Sequence, residues 1–152
     1  KSVPEDLEKY KSIEIEQAYL TTSKQMPILR IRKYDNEFVL TYKFRLKSNE
    51  NVSMCREEEL PLNKEAYDHL KTKIDGNVIE KTRYIIPLEN NLKAELDIFK
   101  GYLEGLIVVE VEFKDEKDVS KFIVPSWFGK DITSDVRYKN ACLTKINNIS
   151  EL

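Results

Sequence analysis

The chain has 152 residues, 34% of them charged, with 25 lysines and arginines set against 27 aspartates and glutamates for a net charge of −2. That length suits one domain with a core of useful size. The balance of charge excludes a global basic field for nucleic acid, and no apolar run is long enough for a membrane-spanning helix.

The elements are predicted in the following order. A short helix is expected over 4–11, with Pro4 in its first turn. Strands follow near 13–20, 28–34, 37–46 and 53–60, and Asp35-Asn36 is a tight-turn pair between the second and third. Asn63 caps a helix over 63–74 whose apolar stripe is Ala66, Tyr67, Leu70 and Ile74, and Asp75-Gly76-Asn77 stops it. Strands resume near 78–87, 91–99 and 103–113. Asp115 caps a helix over 116–123 that ends before Pro125, and 138–148 reads as the last helix. Cys55 and Cys142 are isolated thiols without metal-ligand spacing and are expected to stay reduced. Without a repeat or linker, residues 1–152 read as a single, mostly antiparallel β domain.

Charge is sorted along these strands. Glu14 and Glu16, Arg30 and Arg32, Lys43 and Arg45, Lys81 and Arg83, Glu95 and Asp97, and Glu110 and Glu112 each stand two residues apart. Side chains at i and i+2 of a strand share a face, so each segment carries a charged face and an apolar one. Helices can cover the apolar face, leaving the charged face to line an interior. Burying so many ions dry costs several kcal/mol each, so that interior must hold water, counter-ions or an anionic, metal-bound ligand.

The ordered set Glu14-Ile15-Glu16, Arg30-Ile31-Arg32, Lys43 with Arg45, Lys81-Thr82-Arg83-Tyr84, Glu95-Leu96-Asp97 and Glu110-Val111-Glu112-Phe113 resembles the CYTH superfamily, the triphosphate tunnel metalloenzymes. The tail from Pro125-Ser126-Trp127-Phe128-Gly129 to Arg137-Tyr138-Lys139-Asn140 is similar to the bacterial branch. The likeness runs from about Ile13 to Leu143. It implies a mainly β fold, a closed antiparallel tunnel of eight strands with a charged interior and helices outside. It also implies a metal-dependent hydrolase of triphosphates, inorganic tripolyphosphate or a nucleoside triphosphate, working with Mg2+ or Mn2+.

On that resemblance Glu14, Glu16, Glu110 and Glu112 share a face as metal ligands. Arg30, Arg32, Lys43, Arg45, Lys81 and Arg83 grip phosphates, the arginines in bidentate fashion. Glu14, Glu16, Lys81 and Arg83 are the expected catalytic set. Glu57 and Glu59 point inward in one register, whereas a slip of one residue would turn Arg56 and Glu58 in. Asp97 either adds a metal ligand or pairs with Lys81 or Arg83, and Arg137 is a further candidate for the ligand. His69 reads as a helix-surface residue, and Trp127 and Phe128 as core or lid contacts. Ala18 occupies the lysine position of the E-x-E-x-K hallmark, which keeps a non-catalytic polyphosphate-binding module open beside the enzyme. An adenylate cyclase is the alternative chemistry. The expected partner is a small anionic substrate, with no nucleic acid or membrane, in a cytoplasmic monomer or homodimer.

Overall fold

A computed structural model describes residues 3–21, 27–46, 54–113 and 116–152. Among the described residues seven strands form one antiparallel sheet: β1 (Lys11–Tyr19), β2 (Ile28–Tyr34), β3 (Glu37–Leu46), β4 (Met54–Leu62), β5 (Ile79–Pro87), β6 (Lys93–Phe99) and β7 (Ile107–Val111). The spatial order is β4-β3-β2-β1-β5-β6-β7. Thus β1 stands at the centre, with one meander, β2 to β4, on one side and a second, β5 to β7, on the other. Among the described residues three short α-helices accompany the sheet: α1 (Lys64–Lys71), α2 (Glu116–Lys121) and α3 (Asn140–Leu143). No helix among the described residues is long and apolar enough to cross a membrane.

Local chemistry accounts for the turns. Asp35 takes a left-handed φ of 48° in the β2–β3 hairpin, a conformation that Asp tolerates in tight turns. The Asn63 side chain accepts a hydrogen bond from the Ala66 amide at 2.8 Å and so starts α1. Gly76 sits at φ +95°, and a Cβ there would stand 2.7 Å from the Thr144 carbonyl oxygen. Only glycine permits that approach of the chain to the C-terminal segment.

The sheet has two unlike faces. On one, Ala18, Ile31 and Tyr67 form a buried cluster with Leu40, Leu70 and Ile74, which seats α1 on β1 to β3. Ile86, Ala94 and Leu96 continue that face under Leu7, Trp127 and Phe128, so the two aromatic residues of the tail are core contacts. The other face is charged, except at one end. There Ile79 and Phe99 pack with Leu103 and Leu143, and Asn77 and Tyr102 bond to the carbonyls of Ile146 and Leu143. The C-terminal segment therefore closes one end of the charged side, whereas the last helix was expected on the apolar side.

Two expectations are corrected here. The closed eight-stranded tunnel is replaced by a seven-stranded sheet in which, among the described residues, β4 and β7 each have one partner strand. The alternating segments amount to seven, and the eighth strand rested on the resemblance alone. The opening segment, expected as a helix over 4–11, is a 3-10 turn at Leu7–Lys9 followed directly by β1.

Candidate active site

Directly paired residues of an antiparallel ladder share a face, so the register fixes which side chains meet. Across β1 and β2, Gln17 faces Arg32 and Tyr19 faces Arg30. Across β2 and β3, Arg30 faces Thr41, and Lys43 joins the same side opposite Ile28. Thr41 and Lys43 then face Glu59 and Glu57 of β4. On the other flank Ile15 and Ile13 face Lys81 and Arg83, Arg83 faces Asp97, and Glu95 faces Glu110. One face thus carries Arg30, Arg32, Lys43, Lys81 and Arg83 together with Glu57, Glu59, Glu95, Asp97 and Glu110. Glu112 lies just past β7 with the parity of Glu110. The side chain of Arg45 lies outside the described residues.

The β4 register is the one that turns Glu57 and Glu59 toward the cations. Arg32 bonds to Glu59 at 2.5 Å and to Thr41 at 3.2 Å, Lys43 bonds to Glu57 at 2.8 Å, and Arg30 stands 3.8 Å from Glu57. The Nε atoms of Arg30 and Arg32 are buried without a hydrogen-bond partner. Burial and the neighbouring Arg30 lower the pKa of Arg32, as expected when like charges are crowded together. Two guanidinium groups held side by side with unmet donors are a ready receptor for an anion.

The opposite flank is drier and more tightly paired. Lys81 is 1% exposed and bonds to Asp97 at 2.5 Å. Arg83 makes a two-pronged contact with Asp97 at 2.6 and 2.7 Å, also bonds to Glu95, and lies 3.6 Å from Glu110. Burial lowers the pKa of Lys81 against the pull of Asp97. Burial also opposes the charge on Arg83, but its bonds to Asp97 and the charges of Glu95 and Glu110 outweigh it and raise the pKa. Of the two expected roles for Asp97, the structure shows the ion pair.

The four expected metal carboxylates do not share a face. Glu14 and Glu16 pair across β1 and β5 with Thr82 and Glu80, which places them on the side opposite Lys81 and Arg83. Glu14 accepts from Thr82 at 2.8 Å and from Lys100 at 2.6 Å. Glu16 accepts from Tyr67 at 2.7 Å and pairs with Lys71 at 2.8 Å. Burial pushes both carboxyls up, yet these donors outweigh it and leave both lowered. They anchor the apolar side instead of meeting the cations.

The cause of the miss is that β1 changes character along its length. Its odd positions begin apolar at Ile13 and Ile15 and end polar at Gln17 and Tyr19; its even positions run from Glu14 and Glu16 to buried Ala18. Ala18 belongs to the α1 cluster, so a lysine there would enter an apolar core, not the charged side. Gln17, Tyr19 and Thr41, all buried on the charged face, were not anticipated. The polar parity of Gln17 with Tyr19 was the available signal.

Arg137 is also placed elsewhere. It is bound to Asp135 and to the Leu152 carbonyl in the tail, beside a groove of about 650 Å³ that runs along β7 between Glu110 and Asp135. Among the described residues no three His, Cys, Asp or Glu side chains converge as a metal cage.

Comparison with known proteins bears on this arrangement. No protein-family profile matches the chain. An inorganic triphosphatase from Nitrosomonas europaea is 38% identical over 132 residues, covering 87% of this chain and 84% of that protein. A second, from Acetivibrio thermocellus, is 34% identical over 136 residues, 89% of this chain and 82% of its relative. The crystal structure of the inorganic triphosphatase NE1496 superimposes with a TM-score of 0.73 at 33% identity, covering 97% of this chain and 90% of that one. The fold alone is shared with the Hippeastrum protein HpAC1, whose TM-score is 0.56 at 17% identity. With two-thirds or more of each such triphosphatase matched above 30% identity, the chain belongs to the inorganic triphosphatases of the CYTH, or triphosphate tunnel metalloenzyme, family.

Proposed function

We propose that this protein hydrolyses inorganic tripolyphosphate on its charged face. The observation that carries the reading is the convergence of Arg30, Arg32, Lys43 and Arg83 on one side of the sheet, in a chain 38% and 34% identical to inorganic triphosphatases. Arg30 and Arg32 take phosphate oxygens through guanidinium forks, and Lys43 adds a mobile point charge. Lys81, buried against Asp97, supports the site from below and does not touch phosphate. Once Glu57 and Glu59 yield the cations to the substrate, the phosphate chain is held extended across β2 and β3. Attack by water on the end phosphorus then needs little more than alignment and charge neutralisation.

Hard oxygen donors suit Mg2+ or Mn2+, and magnesium needs only one or two carboxylates when phosphate oxygens and waters complete its shell. Glu110 and Glu112 would hold it, since the ion pair that Glu110 makes with Arg83 is a long one of 3.6 Å. Bound there, the ion would offset negative charge on the substrate.

The test is phosphate release from tripolyphosphate with magnesium or manganese, alongside ATP as a competing substrate. Release of orthophosphate is expected. Binding without release would replace the enzyme by a binding module, and cyclic AMP from ATP would replace it by a cyclase.

A further inference from the structure

Hydrogen bonds pin Arg32 at one corner of its guanidinium group. Its Nη2 atom donates both to Glu59 at 2.5 Å and to Thr41 at 3.2 Å, while Nε is buried without a partner. Two bonds through one nitrogen leave the guanidinium plane free to swing about that atom. The plane has a second support, because its central carbon Cζ lies over the Tyr34 ring, 4.9 Å from the ring centre. Tyr34 follows Arg32 by two residues on β2 and so shares its face. Ile15, which is buried, and Glu37 stand directly across from Tyr34 on the two neighbouring strands.

We infer that Tyr34 is a positioning residue, whose ring fixes the plane of the Arg32 guanidinium for the phosphate chain and leaves its N–H edge to the substrate. The inference rests on the triphosphatase reading proposed above. An aromatic face attracts a cation through its quadrupole. It places no acceptor in the guanidinium plane, so the stack competes with no phosphate oxygen. Glu59, by contrast, occupies the N–H edge and must withdraw when the phosphate chain arrives. Thr41 is then the remaining hydrogen-bond partner at that corner, and the ring is what keeps the fork from turning. A side chain ordered before binding has less freedom to lose on binding. Burial raises the pKa of the Tyr34 phenol against the pull of Arg32 and Arg30, which keeps it neutral and leaves the arginine charge uncancelled.

The test compares Tyr34→Leu, which removes the ring, with Tyr34→Phe, which keeps it, both in the full chain. Steady-state kinetics on tripolyphosphate are measured in three backgrounds: the parent chain, Arg30→Ala and Arg32→Ala. Tyr34→Leu is expected to raise KM about threefold to tenfold with kcat within about twofold. That rise should persist in Arg30→Ala and vanish in Arg32→Ala, and Tyr34→Phe should restore the parent KM to within about twofold. A KM effect that survives loss of Arg32 overturns the inference. So does an unchanged KM in Tyr34→Leu, or a KM in Tyr34→Phe as high as that of the leucine variant. Should Tyr34→Leu fail to fold, Tyr34→Gln takes its place under the same criteria. A second reading needs no substrate: the ring current of Tyr34 should shift the Arg32 side-chain NMR resonances, a shift lost with leucine and kept with phenylalanine. Resonances that do not move in Tyr34→Leu also overturn the inference. A protein that releases no phosphate at all ends the proposed function, while the substrate-free resonances still decide whether Tyr34 holds Arg32.

Discussion

The two flanks of the charged face use the same kinds of residue in opposite ways. On β2 to β4 the partners of the cations are exposed: the side chains of Glu57 and Glu59 are 40% and 52% accessible. On β5 and β6 they are interior, with Lys81 and Asp97 at 1% and 3%. Exposed pairs are worth little and exchange readily, whereas removing one partner from a buried pair strands a charge in a dry place. The first flank is therefore built to give up its carboxylates to a ligand, and the second to stay as it is.

That contrast can be broken most forcefully at Asp97. Asp97→Asn leaves Lys81 and both prongs of the Arg83 contact without their anion, and a loss of about 3–5 kcal/mol is expected by denaturant unfolding. A loss below about 1 kcal/mol would erase the distinction between the flanks. Next in size, Arg32→Ala should lower kcat/KM for tripolyphosphate by about a hundredfold while stability changes little; unchanged kinetics would remove β2 from the site. Glu59→Gln releases Arg32 from its counter-charge. It should cost at most about 1 kcal/mol of stability and lower KM severalfold, and a raised KM would show that Glu59 assists binding.

A smaller effect belongs to the end that the C-terminal segment closes. Burial pushes the Tyr102 phenol from its ordinary value near 10 up to about 12. The unfolded chain then loses that proton first, so stability declines as the pH rises from about 10 toward 12. Tyr102→Phe should flatten that decline in an unfolding-against-pH series, and an identical slope would clear the residue. Smallest of all, Glu14→Gln should leave hydrolysis within about twofold, because Glu14 faces Thr82 and Lys100 on the far side. A large loss of activity would return it to the site.

Much of this architecture was legible in the residues. The seven strand segments, the two-residue hairpin at Asp35 and the Asn63 cap follow from alternation and turn chemistry, and all three appear in the structure. The side on which Glu57 and Glu59 lie was open between two registers in the sequence, and the β3–β4 ladder adopts the one that turns them toward the cations. Alternation, however, relates residues within one strand only; it cannot say which face of one strand continues which face of the next. For β1 the conspicuous pair, Glu14 and Glu16, was taken for its interior face, whereas the quieter Gln17 and Tyr19 occupy it. Lys81 was placed on the right face but its depth was not foreseen, because burial depends on what the C-terminal segment covers, a contact between distant parts of the chain.

The central place of β1 also bears on how the molecule forms. Every other ladder joins strands consecutive in sequence, but β1 meets β5 only after β2, β3, β4 and α1 have intervened. Contacts that enclose a long stretch of chain form slowly, because their entropy must be surrendered before they are rewarded. Each meander can assemble from local hairpins, and the β1–β5 seam then unites them. The arginines of one meander and the Lys81–Asp97 cluster of the other are neighbours only through that seam, so whatever opens it separates the two flanks of the charged face.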